Sequence, residues 1–385
     1  MIKKPEIKNL EKAARRILKA IKSNERIIIC GDSDLDGVTS VIILKEVITS
    51  LGREPKEIYF PDRESEGYGL TLDSLKYFKK HAPALIITLD FGIGNFKEVE
   101  AANKLDFEVI IIDHHEVLDK LPDASIIVDP KQKGDNYPFK QFANAGLTFK
   151  LAEAILKEKL TETLRKNFLE LAAMATIADM MPKIEENEEM INEGLSYLES
   201  SWRPGIQTLF KLEESDSLKL LDRVYKVNSL LNIRDVKDRM PASFRLLTAS
   251  DEKEAHKLAK LLVLKGKEKK ERVKEIVDAV ERRVFGRDSD IIIFEGKEDW
   301  ELELLGVAAS ILVQRHRKPV FLYKKGKKDI RAGSRAPSEY NLVEAMKNCS
   351  THLMTYGGHP QAAGFRILNK HLEEFRECLV KYFEK

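Results

Sequence analysis

Short apolar runs alternate with charged stretches of helical period over the first third of the chain. The pattern predicts a helix over residues 9–22 and then a strand at 26–31, Arg26-Ile27-Ile28-Ile29-Cys30 and the glycine after it. Helical stretches at 38–50, 71–81 and 96–104 then alternate with strand-like runs at 57–60, 84–90, 107–113 and 124–129. Alternation at this spacing implies a parallel sheet wrapped by helices. From about 145 to 245 the pattern turns helical, and 250–285 reads as one long, charged helix. Its run Lys265-Gly266-Lys267-Glu268-Lys269-Lys270-Glu271-Arg272 suits a solvated connector, with nucleic-acid contact as the alternative. Strand signals return at Ile291-Ile292-Ile293-Phe294 and Val320-Phe321-Leu322-Tyr323. The expected fold is α/β: a parallel-sheet domain with a helical extension (1–245), a connecting helix (246–285) and a second, smaller α/β domain (286–385). The active site is expected in the cleft between the two domains.

The apolar runs end in acid or imidazole. Asp32-Ser33-Asp34-Leu35-Asp36-Gly37 follows the first strand, Asp90 ends Ile86-Ile87-Thr88-Leu89, and Asp113-His114-His115 ends Val109-Ile110-Ile111-Ile112. An open α/β sheet builds its site outside its carboxyl edge, where such residues gather. Carboxylates on alternate residues repel one another, and a cation relieves the repulsion. Asp34, Asp36, Asp90, His114 and Asp179 are the candidate ligands, and Asp32 is a further one. Hard oxygens with one imidazole favour Mn²⁺, or Mg²⁺, over zinc. Two such ions can bind an attacking water and a leaving-group oxygen together, with Asp90 as the bridging carboxylate. Any one Asp-Gly reads first as turn chemistry; three acid-tipped strands with a His pair do not.

Composition narrows little. Lys+Arg (65) nearly cancels Asp+Glu (63), so only local patches could attract nucleic acid. The stretch 315–331 is one, where Tyr323 could stack on a base, though a basic hairpin exposed to water explains the run equally well. Trp202 and Trp300 read as packing residues, and His316 and His352 as surface or core histidines. Cys30, Cys349 and Cys378 are odd in number and far apart, so no disulfide framework or zinc pattern is expected, which suits a reducing cytoplasm. No apolar run approaches the roughly 18 residues of a membrane span.

The acid-tipped motifs resemble motifs I to III of the DHH phosphoesterase superfamily, and Ala175-Thr176-Ile177-Ala178-Asp179 resembles motif IV. The resemblance narrows to RecJ-like exonucleases through Phe60-Pro61-Asp62-Arg63-Glu64-Ser65-Glu66-Gly67-Tyr68-Gly69-Leu70, Asp129-Pro130-Lys131, Tyr137-Pro138-Phe139 and Ala145-Gly146. Gly357-Gly358-His359-Pro360-Gln361-Ala362-Ala363-Gly364-Phe365 is similar to the signature of the DHH-associated domain, so the similarity runs from about 25 to 368. It implies a metal-dependent hydrolase that releases nucleoside 5′-monophosphates from single-stranded DNA or RNA. His114 would bind metal and His115 would contact phosphate, with Asp113, His115 and Asp36 as the catalytic set. Arg63 and Arg335, with Ser334, would hold a terminal phosphate, which implies 5′→3′ digestion. Gly357, Gly358 and His359 would add phosphate contacts.

Three departures qualify the match. Relatives often carry His where this chain has Cys30, leaving Cys30 and Asp32 as alternatives for the first metal site. The family's Asn-Ala-Ala-Gly-Arg stretch appears only as Asn232-Ile233-Arg234-Asp235-Val236-Lys237-Asp238-Arg239, with Arg239 as the substrate-binding candidate. Only 26 residues follow His359, fewer than an OB-fold needs, so a weaker grip on long strands or help from replication or repair proteins is expected. Two alternatives remain: an enzyme for very short substrates, such as a nanoRNase or small-nucleotide phosphatase, or a non-catalytic replisome scaffold.

Overall fold

A computed structural model describes residues 6–63, 66–117, 120–212, 219–233, 235–286 and 290–384; Glu64, Ser65 and Arg234 of the motifs above lie outside the described residues. The chain divides into two compact units, Met1–Val263 and Leu264–Lys385.

The first unit opens with α1 (Leu10–Lys22), β1 (Ile27–Gly31), α2 (Leu35–Ser50), β2 (Glu57–Tyr59), α3 (Leu72–Phe78), β3 (Ala84–Leu89), α4 (Phe96–Lys104), β4 (Phe107–Ile112) and β5 (Ile126–Val128). All four strand pairings are parallel, in the order β2-β1-β3-β4-β5. The strands are apolar throughout because both faces are covered. Ile27, Ile29, Leu85, Ile87, Ile110 and Ile112 join a core with α1 and α2, while Ile28, Cys30, Ile86, Val109 and Ile111 face Leu75, Phe78, Val99 and Ala102 of α3 and α4. The chain runs from β1 outward to β2 and then crosses back to β3 on β1's other side, so the order reverses between β1 and β3. Doubly wound sheets open a crevice at that point.

A helical extension follows: α5 (Asn144–Leu156), α6 (Glu162–Ala178), α7 (Glu185–Leu198), α8 (Pro204–Leu212), α9 (Leu220–Leu231), the small hairpin β6 (Val236–Lys237) and β7 (Met240–Pro241), and α10 (Ala242–Leu247). α11 (Glu252–Val284) serves both units: Ala255, Leu258, Ala259 and Leu262 enter the first core, and Val273, Ile276, Val277 and Val280 enter a core of the second.

The second unit continues with β8 (Ile293–Lys297), α12 (Leu302–His316), β9 (Val320–Lys325), β10 (Asp329–Arg335), α13 (Leu342–Asn348), β11 (Leu353–His359), β12 (Ala362–Leu368) and α14 (Leu372–Phe383). Its sheet, β11-β12-β10-β9-β8, is antiparallel except for the parallel pair β8–β9. Cys349 and Cys378 are joined in a disulfide, contrary to the expectation from their spacing. The packing of α13 on α14 brings residues 29 apart in sequence to a Cα–Cα separation of 6.0 Å. The cysteine pattern therefore does not argue for a reducing compartment. Among the described residues no helix is long and apolar enough to cross a membrane.

Candidate metal centre and phosphate groove

The ladder of the parallel sheet continues one residue past each strand. The N–H of Asp32 donates to Leu89 O (3.2 Å), that of Asp90 to Ile112 O (3.1 Å) and that of Asp113 to Val128 O (3.0 Å). Three acids therefore stand in a row along the carboxyl edge. Asp90 takes a left-handed backbone (φ 67°), a conformation Asp tolerates better than most residues, and so turns its side chain back toward β1. Asp34 caps α2 by accepting from Gly37 N at 3.1 Å. A Cβ at Gly37 would lie 2.4 Å from Asp32 O, so only glycine lets the helix start this close to the strand.

Asp36 is buried where α2 meets the start of α5, accepting from Asn144 N and Ala145 N at 2.7 Å each. The Asn144 side chain donates to Ile112 O and accepts from Asp90 N, both at 2.9 Å, which ties α5 to the tips of β3 and β4. Sequence reasoning missed Asn144; the neighbouring Ala145-Gly146 was the available signal. Asn232, which the sequence marks only as the start of a departing motif, accepts from Leu35 N through its Oδ1 at 2.9 Å and anchors the first turn of α2.

His114 lies at the centre. Its Nδ1 bonds Phe142 O at 2.8 Å, which fixes the proton there and leaves the Nε2 lone pair facing inward. That Nε2 is 3.1 Å from Asp90 Oδ1, 3.7 Å from Asp36 Oδ2 and 3.8 Å from Asp179 Oδ2. Burial, helped by the neighbouring His115, lowers the His114 pKa to about 4, so the ring is neutral. Asp36 and Asp90 are pushed well above the carboxylate range by burial and by the surrounding acids. Burial and Asp34 raise Asp179 to about 6. Asp90 Oδ1 and Asp179 Oδ2 are buried and have no hydrogen-bond partner. Buried oxygens without donors are costly, and a neutral imidazole cannot supply charge. A divalent cation satisfies both demands, and this oxygen-rich donor set fits Mn²⁺ or Mg²⁺. Three groups of ligand atoms gather within 4.8 Å here, Asp36–His114–Asp179, Asp32–Asp34–Asp90 and Asp90–His114–His115.

The remaining candidates separate by role. Both oxygens of buried Asp113 are occupied: Oδ1 accepts from His115 Nδ1 at 2.8 Å, and Oδ2 from Ile93 N at 2.9 Å. Asp113 therefore acts by orienting His115. Burial opposes charge on His115, but the Asp113 hydrogen bond overrides it and raises the pKa to about 9, giving an imidazolium half open to solvent. Tyr68, which sequence reasoning passed over, donates to Asp90 O at 3.1 Å and lies 3.5 Å from His115 Nε2. Arg63 pairs with Asp32 through Nε at 2.8 Å and with Asp34 through Nη2 at 3.0 Å. Cys30 is buried in the apolar core on the α3–α4 face and its pKa is raised by burial, whereas Asp32 gathers with Asp34 and Asp90. Arg239 is exposed on the β6–β7 turn, its guanidinium 4.0 Å from the centroid of the Tyr77 ring.

In the second unit Gly333, Gly364 and Gly357 face one another across β10, β12 and β11. They floor a cavity of about 540 Å³ lined also by Arg331, Arg335 and Arg366. A Cβ on Gly333 would come within 3.2 Å of Gly306 N, and one on Gly306 within 3.0 Å of Arg335 Nη2, so bare backbone makes the floor. Burial lowers the Arg335 pKa, and its Nη1 donates to Ser334 O at 2.9 Å. Ser334 does not fit its expected role. Strand alternation turns its fully buried hydroxyl to the opposite face from Arg335, the face where Ile330 and Ala332 pack. Gly358 and exposed His359 close β11 at the same end of the sheet as Arg335, opposite Ala363 and Ala362. Tyr323 is engaged already, its ring 5.2 Å from Phe294 and packed on Gly296. Within the 315–331 run Arg315 pairs with Glu281 and Lys318 donates to Asp290 O. Trp300 is a core residue, as expected, whereas Trp202 is more than half exposed.

The doubly wound sheet with this acid–imidazole centre defines the class. Residues 26–176 match the N-terminal domain of the DHH family and residues 288–385 match the DHHA1 domain. The chain belongs to the DHH family and carries a RecJ-like core. It is 36% identical over 380 residues to the single-stranded-DNA-specific exonuclease RecJ of Bacillus subtilis (strain 168), covering 97% of this chain. It spans about half (48%) of the length of that relative. A crystal structure of exonuclease RecJ bound to manganese superposes with a TM-score of 0.79 at 25% identity, covering 99% of this chain and 95% of that one. RecJ from Thermus thermophilus in complex with Mn²⁺ gives 0.82 at 24% identity, over 98% of this chain and 55% of that one, a likeness of fold.

Proposed function

We propose that the chain is a metal-dependent exonuclease that hydrolyses phosphodiester bonds of single-stranded DNA, and by the same chemistry RNA, to release nucleoside 5′-monophosphates. The observation that carries this reading is the pair of partnerless buried oxygens, on Asp90 and Asp179, facing the lone pair of a neutral His114 beneath the His115 imidazolium. Asp34, Asp36, Asp90, His114 and Asp179 would hold the metal ions, with Asp32 at the edge of the group. Bound there, divalent ions make a coordinated water acidic and neutralise phosphoryl charge. His115 would donate to a phosphoryl oxygen as negative charge builds, and its Asp113 bond keeps it cationic and aimed. Arg63 in the first unit and Arg335 in the second are each read as a candidate for the terminal-phosphate grip, since a guanidinium fork suits a phosphate dianion. That grip implies 5′→3′ digestion.

The single-stranded-DNA specificity of the Bacillus subtilis relative supports single-stranded DNA as substrate. The glycine floor suits a backbone pressed close to β10–β12, and action in the cytoplasm beside replication or repair proteins accords with such a substrate. The scaffold alternative sits poorly with a complete ligand set. Incubation with Mn²⁺ and strands labelled at the 5′ or the 3′ end, as DNA and as RNA, tests the reading. Stepwise degradation is expected, slowed at least ~10³-fold in Asp90→Ala. No degradation by the wild type, or equal rates in the variant, would refute it. A length series from dinucleotide to 30-mer separates it from an enzyme for very short substrates.

A further inference from the structure

Outside the metal centre, one more group of ligand atoms within 4.8 Å of one another occurs among the described residues: His352, His371 and Glu374. His352 ends a short 3-10 turn after α13 (Ser350–His352), and His371 and Glu374 flank the first turn of α14. Two imidazoles converge on one carboxylate oxygen. Glu374 Oε2 is 3.0 Å from His371 Nδ1 and 3.5 Å from His352 Nδ1. A tetrahedral ion with bonds of about 2.0–2.1 Å separates its ligand atoms by roughly 3.3 Å. The two edges bracket that value, and without an ion the shorter one is a His371–Glu374 hydrogen bond.

We propose that His352, His371 and Glu374 form a second metal site, for a divalent cation of the imidazole-preferring class such as zinc. Its donor set differs in kind from the oxygen-rich centre of the first unit, with nitrogen outnumbering carboxylate, and so selects a softer ion. Three protein ligands leave a fourth position for water. The side chains of His352 and His371 are only 26% and 34% exposed, and His352 and Glu374 line a surface cavity of about 380 Å³ through which an ion can enter.

The Cys349–Cys378 disulfide supports the site independently. Cys349 lies three residues before His352, and Cys378 lies four residues, one helical turn, after Glu374 on α14. The covalent bridge and the ligand group therefore join the same two segments as neighbouring rungs. A site whose ligands are held before the ion arrives loses less entropy on binding it. The ion would in turn fasten the start of α14 to the turn that leads into β11.

The test uses the full chain with the first centre disabled by Asp36→Asn and Asp90→Asn. Zinc titrated into this background by calorimetry should lose one equivalent when His352→Gln and His371→Gln are added. Cobalt should give the visible absorption of a tetrahedral ion in the background and not in the histidine variant. Zinc should also raise the melting temperature of the background by several degrees, and Glu374→Gln should abolish that rise, judged against the variant's own zinc-free melt. Equal zinc uptake with and without the histidines, or a zinc-induced rise that persists in Glu374→Gln, would overturn the proposal.

Discussion

The first unit buries ionisable side chains in two places, and the two are built on opposite terms. In one, Arg203, only 1% exposed, donates from Nε to Glu170 at 3.0 Å, from Nη2 to Glu46 at 2.9 Å and from Nη1 to Leu247 O at 3.2 Å. This cluster brings its own cation and joins α2, α6, the segment entering α8 and the end of α10. In the other, Asp36, Asp90 and Asp179 have no ion pair with a Lys or Arg among the described residues; the His115 imidazolium stands at the edge of the group, and the guanidinium of Arg63 pairs with Asp32 and Asp34. Both clusters lie within the apolar framework of one unit. The first is complete as a protein structure, and the second becomes so only with something added. Burial of charge is thus not in itself a mark of function; burial without internal compensation is the informative case.

The largest effect should come from breaking the complete cluster. Arg203→Ala leaves Glu170 buried without its partner, and a loss of about 3–5 kcal/mol is expected by chemical denaturation. A loss under ~1 kcal/mol would show that Arg203 does not neutralise the site. The next effect sharpens the electrostatics. Burial raises Glu170 from 4.5 to about 7 despite Arg203. The folded state holds this proton more tightly than the unfolded chain does. The stabilisation is therefore full below pH 4.5 and is lost as the pH rises toward 7. Between about pH 5 and 7 the wild type should lose about 2 kcal/mol that Glu170→Gln does not. Parallel stability profiles for the two proteins would remove this assignment. The smallest effect has the opposite sign and belongs to the incomplete cluster. Without metal, Asp90→Asn removes a buried acid from among like charges and should stabilise by on the order of 1–2 kcal/mol. Saturating Mn²⁺ should reverse the order, because only the wild type gains the full binding energy. Destabilisation by Asp90→Asn in a chelator would show that the cluster is not waiting for a cation.

Much of the metal centre could be read from the chain because its parts are short and local. An acid directly after a buried strand must lie at the sheet edge, and three such strands in a parallel sheet must share one edge. Asp32, Asp90, Asp113 and the His pair followed from that geometry alone. The resemblance of Ala175 to Asp179 to motif IV added the last candidate ligand, which reaches the site from the end of α6 rather than from the sheet. The long helix through 250–285 and the return of strands after it were likewise carried by periodicity.

What only the tertiary structure decided are the properties that depend on which face or neighbour a residue meets. Ser334 and Arg335 adjoin in sequence, yet strand alternation sends one into the core and the other to the groove. Cys30 precedes the acidic motif but turns into the apolar side of β1. Cys349 and Cys378 meet only because α13 packs on α14, and the same packing brings His352 to Glu374. Asn144 and Asn232 support the centre from segments more than 100 residues beyond the α2 residues they hold. Local sequence sets each element and its periodicity, but the partner of a buried polar group is chosen by long-range packing, which no local pattern encodes.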